Sequence, residues 1–313
     1  MKVILNLLIF CIVLFIYVHV YFYLKTSNDL EVYEIFQPSK EKLEEVCDMR
    51  QPVIFDYPND ELLKSCTRDA IQNRYGAFEV KIRNLDISNK EDEELYIPIS
   101  FTKANIAIKE DASNKYLVEK NAEFLDETSL NKIFKYNDAL IRPNMVSNCI
   151  YDIMVAHNGV RTPFRYEVNY RNYFMVTEGN IRIKLAPPKS RKYLYHHSDY
   201  ENFEFNTPIN PWEVQSQYAE DFEKIKCLEV NMKEGSIIYI PSYWWYSIEF
   251  GEKATVAVFK YRTFMNTVAI FPKLVQRLLQ NQNIKRQITP LFSLKSNDAT
   301  DTNKKNDTDK KLE

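Results

Sequence analysis

Gly235-Ser-Ile-Ile-Tyr-Ile-Pro-Ser-Tyr-Trp-Trp-Tyr246 is the stretch that decides the fold. A glycine turn feeds a β-branched and aromatic run, and Pro241 punctuates it before Trp244 and Trp245. A second run, Ala254 to Tyr261, follows Gly251 and leads into Arg262. The spacing predicts two strands joined as a hairpin inside a β-rich domain.

Working upstream, Thr162-Pro-Phe-Arg-Tyr-Glu167 is followed by Asn172-Tyr-Phe174, Gly179-Asn-Ile-Arg182 and Pro187-Pro188. Together with the Ile-Pro-x-x-Trp-Trp run, this series resembles cupin-like JmjC domains, of the kind found in the asparaginyl hydroxylase of hypoxia-inducible factor. The resemblance implies a double-stranded β-helix, a jelly-roll-like barrel, within a mainly β fold with flanking helices. In that family the same frame carries an iron site of two histidines and one carboxylate, with a basic residue clamping 2-oxoglutarate. Carried over, the iron-ligand positions are Arg165, Glu167 and Tyr246, and the 2-oxoglutarate pocket falls on Thr162, Asn172 and Ile181. Pro241, Trp244 and Trp245 keep the fold motif. One extra residue stands between Val168 and Arg171, an insertion that a turn or bulge can absorb.

The frame is kept and the chemistry is altered. Two imidazoles and a carboxylate hold Fe(II) on one face and leave positions open for cosubstrate and oxygen. A guanidinium stays protonated and offers no lone pair. A phenol must first lose a proton with a pKa near ~10. With Ile181 in place of the cation, a buried cosubstrate carboxylate would go unpaired, which costs several kcal/mol. The expectation is a catalytically degenerate site that holds neither Fe(II) nor 2-oxoglutarate and serves binding or scaffolding. An active oxygenase with an unusual ligand set, or a purely structural membrane protein, are the alternatives. Arg165 and Glu167 stand two apart on one strand face, so they are expected to pair, with the Tyr246 hydroxyl donating to Glu167.

Residues 3–24 contain only Asn6 and His19 as strongly polar members and end in an aromatic cluster, Tyr21-Phe-Tyr23. That length suits an uncleaved transmembrane anchor in contact with the lipid bilayer. Lysines flank both ends, so charge does not orient it. Five scattered cysteines do not suggest a disulfide framework, which favours a cytosol-facing domain. The expected organisation is an anchor over 1–25, a cupin-like domain over 26–265, a helical segment over 266–294 and a disordered tail over 295–313. Apolar residues between 266 and 282 fit an amphipathic helix, which either packs on its own domain or forms a homodimer contact.

Of 313 residues, 45% are apolar and 14% aromatic, enough for a large core, and the net charge of −2 gives no case for nucleic acid. Five glycines leave no phosphate-binding loop. His196 and His197 are adjacent and read as an exposed loop pair rather than metal ligands, and His157 reads as a turn residue. Further strands are expected over Gln51–Asp56, Phe78–Ile87, Leu95–Ile108 and Cys149–Ala156. Helices are expected over Ser39–Val46 and Asp60–Ala70, and mixed or helical structure over Asn121–Lys135.

Overall fold

The computed structural model describes residues 2–85, 95–111 and 113–283. The strands are β1 (Tyr33–Ile35), β2 (Val53–Asp56), β3 (Glu79–Asn84), β4 (Tyr96–Ser100), β5 (Tyr116–Val118), β6 (Val146–Ala156), β7 (Arg165–Tyr166) and β8 (Arg171–Glu178). They continue as β9 (Asn180–Ala186), β10 (His197–Asp199), β11 (Glu204–Asn206), β12 (Leu228–Lys233), β13 (Ser236–Tyr239), β14 (Trp245–Phe250) and β15 (Thr255–Thr263). They form a nine-stranded sheet, ordered β1-β2-β13-β8-β15-β6-β5-β3-β4, and a six-stranded sheet, ordered β10-β11-β7-β14-β9-β12.

Strand alternation explains how the two sheets meet. Val256 and Val258 of β15 and Phe174 and Val176 of β8 point from the larger sheet into the same core as Ile181, Ile183, Tyr246 and Ile248 of the smaller one. The opposite parity of the larger sheet, Tyr173, Met175, Ala257, Phe259 and Tyr261, packs under a helical layer. That layer is α2 (Lys40–Asp48), α3 (Asp60–Ser65), α4 (Arg68–Tyr75), α5 (Phe101–Lys109), α6 (Ala122–Glu127) and α7 (Leu130–Tyr136), preceded in the chain by α1 (Lys2–Leu24). The outer face of the smaller sheet, with Tyr166 and Trp245, is covered by the loops that flank the short α8 (Ala219–Phe222), and by α9 (Phe264–Ala269) and α10 (Phe271–Asn283) through Ile270 and Leu274. The fold is therefore sheet-rich with flanking helices.

The expected hairpin does not form. β14 pairs with β7 and β9, whereas β15 pairs with β6 and β8, so Gly251 carries the chain from one sheet to the other. Pro241 and the left-handed Tyr243 (φ 67°) likewise separate β13 from β14, which lie in different sheets. Leu95–Ile108 is a strand only as far as Ser100; there the Ser100 hydroxyl caps Lys103 N–H, and Phe101, Ala104 and Ile108 bury one face of a helix. Asp60–Ala70 is two helices, because Thr67 starts a new one by accepting from Ala70 N–H. The segment 284–313, with the expected disordered tail, lies outside the described residues.

Gly179 makes the crossing from β8 to β9 at φ 72°, and a Cβ there would strike the Glu252 carbonyl and the Ala254 backbone. Gly179→Ala is expected to lower unfolding stability by about 1–3 kcal/mol, read as a shift in urea midpoint.

α1 is exposed along most of its length, with a mean hydropathy of 2.8, and is long and apolar enough to cross a membrane.

Candidate functional site

The three expected ligand positions do converge. β7 lies beside β14 with Arg165 opposite Tyr246, and both side chains enter the space between the sheets. Trp244 and Trp245 turn to opposite sides: Trp244 joins the inter-sheet core and donates its indole N–H to the Arg50 carbonyl at 3.1 Å, while Trp245 packs outside on Phe164 and Tyr166. Pro241 ends β13, and the turn that follows is held by Ser242 Oγ donating to the Asn169 carbonyl at 2.6 Å.

Arg165 and Glu167 share the inward face, but they do not pair. Arg165 instead forks onto Glu119, Nη1 to Oε1 at 3.1 Å and Nη2 to Oε2 at 2.6 Å. Glu167 accepts from Lys260 Nζ at 2.7 Å and, as expected, from the Tyr246 hydroxyl at 3.0 Å. The reason is geometric: two planar donors aligned with two carboxylate oxygens outcompete a single contact along one strand. Lys260 reaches Glu167 from β15, where Val256 and Val258 of the same parity face the inter-sheet core.

A second set of ions extends the pair. Arg83 Nη1 meets Glu119 Oε1 at 2.8 Å and both oxygens of Glu204 at 3.0 Å, and Lys120 Nζ meets Glu204 Oε1 at 2.5 Å. Tyr96 donates its hydroxyl to Glu204 at 2.5 Å. The side chains of Arg83, Glu119, Arg165 and Glu204 are between 1% and 6% exposed, so these are interior charges. Burial opposes ionisation of Glu119, yet Arg165 and Arg83 hold it well below the usual carboxylate range. Glu204 is held low in the same way, by Arg83 and Lys120. Burial also works against Glu167, and Lys260 and Arg165 reverse it. The Tyr246 phenol goes the other way, raised well above its ordinary value by burial and by the neighbouring Glu167 carboxylate.

The expected cosubstrate positions have structural occupations. Asn172 donates to the Asn169 and Ile240 carbonyls at 3.2 Å. Thr162 Oγ1 accepts from Ile248 N–H at 2.9 Å, and Ile181 is fully packed between Phe250 and Met232 on the neighbouring strands. A groove of about 730 Å³ opens beside the network, with Arg83, Arg161 and Thr162 in its wall. His197 lines it, while His196 contacts Arg191 at 2.6 Å.

As a donor set these residues do not suit Fe(II). Arg165 has no lone pair, Tyr246 keeps its proton, and both oxygens of Glu167 accept hydrogen bonds. Tyr246→Phe removes one hydroxyl from Glu167 while Lys260 remains, so it is expected to cost about 1–2 kcal/mol in denaturant unfolding.

The ion network thus sits within two sheets that face one another across a largely apolar core, with helices outside. The chain belongs to the cupin-like domain family, whose model matches residues 38–262.

Proposed function

We propose that the protein is a membrane-anchored cupin-like scaffold or binding module without Fe(II) and 2-oxoglutarate chemistry. In this reading its two sheets are the faces of a JmjC-type double-stranded β-helix, α1 is a single-pass anchor and the domain faces the cytosol. The observation that carries it is Arg165, standing at the first ligand position and held by Glu119 in two charge-assisted hydrogen bonds. An ion pair between strands and loops does the cross-linking that a metal performs in an oxygenase of this architecture. The free state of all five cysteines accords with a reducing compartment.

The test is metal analysis of the full chain purified in detergent without chelator, with thermal melts under added Fe(II), 2-oxoglutarate and both. The expected result is no stoichiometric metal and no shift. A ligand present at 100 times its Kd would stabilise by about 2.7 kcal/mol, so bound iron with cosubstrate would be evident and would restore the oxygenase reading.

A further inference from the structure

The C-terminal end of α1 is docked on the domain. α1 packs against α9, and exposure falls only near its end, where His19, Val20 and Tyr23 are half-buried. Arg50 closes that end: its Nη2 donates to the Phe22 carbonyl at 3.5 Å, and its guanidinium lies 5.1 Å from the Phe22 ring and 4.7 Å from the Tyr170 ring. A cation there complements the negative end of the helix dipole. Packing against α1 places α9 beside it. A 23-residue helix is about 34 Å long and the hydrocarbon core about 30 Å thick, so a spanning α1 puts its last turns, and α9 beside them, at the bilayer boundary.

At that height the protein displays apolar side chains that are exposed among the described residues. Phe264 is 59% exposed, Val268 46%, Phe271 60%, Leu278 60% and Leu279 53%. In α9, Phe264 and Val268 stand opposite the buried Asn266, Ala269 and Ile270, and in α10 the exposed Phe271, Leu278 and Leu279 share a stripe with Leu274, which packs at its edge on the core over the smaller sheet. The domain thus covers only part of the apolar surface of α9 and α10.

A basic turn lies at the same end of α1. Lys189 N–H in the turn Pro188–Tyr193 donates to Asn28 Oδ1 at 2.8 Å, which pins this turn four residues beyond the end of α1. Lys189, Arg191 and Lys192 are exposed there. Arg191 also lies close enough to α10 that, after burial, its charge is the next cause lowering Lys273 to about 8 and His196 below its usual value. Asp221, an acid on this flank, is taken by the Tyr195 hydroxyl and Lys224.

We propose that the outer face of α9 and α10 and the Pro188–Tyr193 turn form one membrane-contact surface. Phe264, Val268, Phe271, Leu278 and Leu279 enter the boundary between headgroups and acyl chains of the leaflet that α1 leaves, and Lys189, Arg191 and Lys192 engage its anionic headgroups. The inference rests on the reading of α1 as a transmembrane helix. Lipid is the favoured occupant because the face lies beside an apolar helix that the domain leaves largely bare, and because an exposed cationic turn is held at the same end of that helix.

The experiment places a tryptophan at Leu8 or Phe271 of the full chain, in phosphatidylcholine vesicles with and without phosphatidylserine, and compares brominated with unbrominated acyl chains. Emission of the parent, which carries the partly exposed Trp212 and the fully buried Trp244 and Trp245, is subtracted. Leu8→Trp reports whether α1 is in the bilayer, and Phe271→Trp whether the proposed face is. Quenching at both is expected, stronger at Phe271→Trp with phosphatidylserine, and that increment should vanish when Lys189→Gln, Arg191→Gln and Lys192→Gln are combined. Quenching at Leu8→Trp alone would keep the anchor and overturn the surface. No quenching at either would overturn both. A blue-shifted, unquenched Phe271→Trp that cross-links between copies would assign the face to a dimer and overturn the lipid assignment.

Discussion

Arg165→Ala is expected to destabilise the domain by about 3–5 kcal/mol, because it strands the Glu119 carboxylate in the interior. Glu119 is 2% exposed and loses both hydrogen bonds of the fork, keeping Arg83 and Tyr96 as neighbours. A missing guanidinium also leaves a void beside the Tyr246 ring, which it now overlies at 5.7 Å. The size of the effect separates this account from a passive one. Were Arg165 a filler of an old cavity, a loss near that of a surface change, about 0.5 kcal/mol, would be seen. A second variant checks the mechanism: with Arg165→Met and Glu119→Leu combined, the stranded charge is gone, and the loss should fall short of the two single losses added together by about 1–3 kcal/mol. Additive losses would sink the pairing as the source of the stability. Guanidinium denaturation would blur the result through ionic screening, so urea is the denaturant of choice.

The same geometry bears on whether the site could be made into an iron centre. Placing histidine at 165 and 246 supplies two imidazoles, but Glu119 would then lose its two-bond fork and Lys260 would still occupy Glu167 at 2.7 Å. The partners of these positions include residues that the motif does not contain.

Those residues divide the legible from the illegible. The inward positions Arg165, Glu167 and Tyr246 could be read because motif spacing and strand alternation fix them locally, and the Tyr246 to Glu167 hydrogen bond follows from that alone. Lys260 left a signal: a lysine at the inward parity of Val256 and Val258 is a buried charge that requires a partner. Glu119 and Glu204 left none. They are brought in from a loop after β5 and from the short β11, 46 and 39 residues from Arg165, and no local pattern encodes that meeting. The expected Arg165 to Glu167 pair failed for this reason, since the stronger partner was remote in sequence. The hairpin expectation failed similarly, because a glycine between two strands is equally a turn within one sheet and a passage between two.

Acid should unfold this protein through the same network. Glu119, Glu167 and Glu204 each have a folded pKa below the ordinary value of 4.5, held there against burial by Arg165 and Arg83, by Lys260, and by Arg83 and Lys120 respectively. A carboxyl whose pKa is depressed on folding contributes stability that is complete above its unfolded pKa and is lost as pH falls towards its folded one, because the unfolded chain binds protons first. The melting temperature should therefore be flat from neutral pH down to about 5 and fall steeply below about 4.5. The loss should be cooperative, since protonating Glu204 leaves Arg83 and Lys120 both under-compensated around Glu119. Glu204→Gln makes the argument testable: the variant should be less stable at neutral pH and show a shallower acid limb, because one group that distinguishes the folded from the unfolded chain has been removed. A parent profile that stays flat through pH 4, or a variant whose acid limb is as steep as the parent's, would mean that the buried carboxylates are not what the low-pH stability depends on.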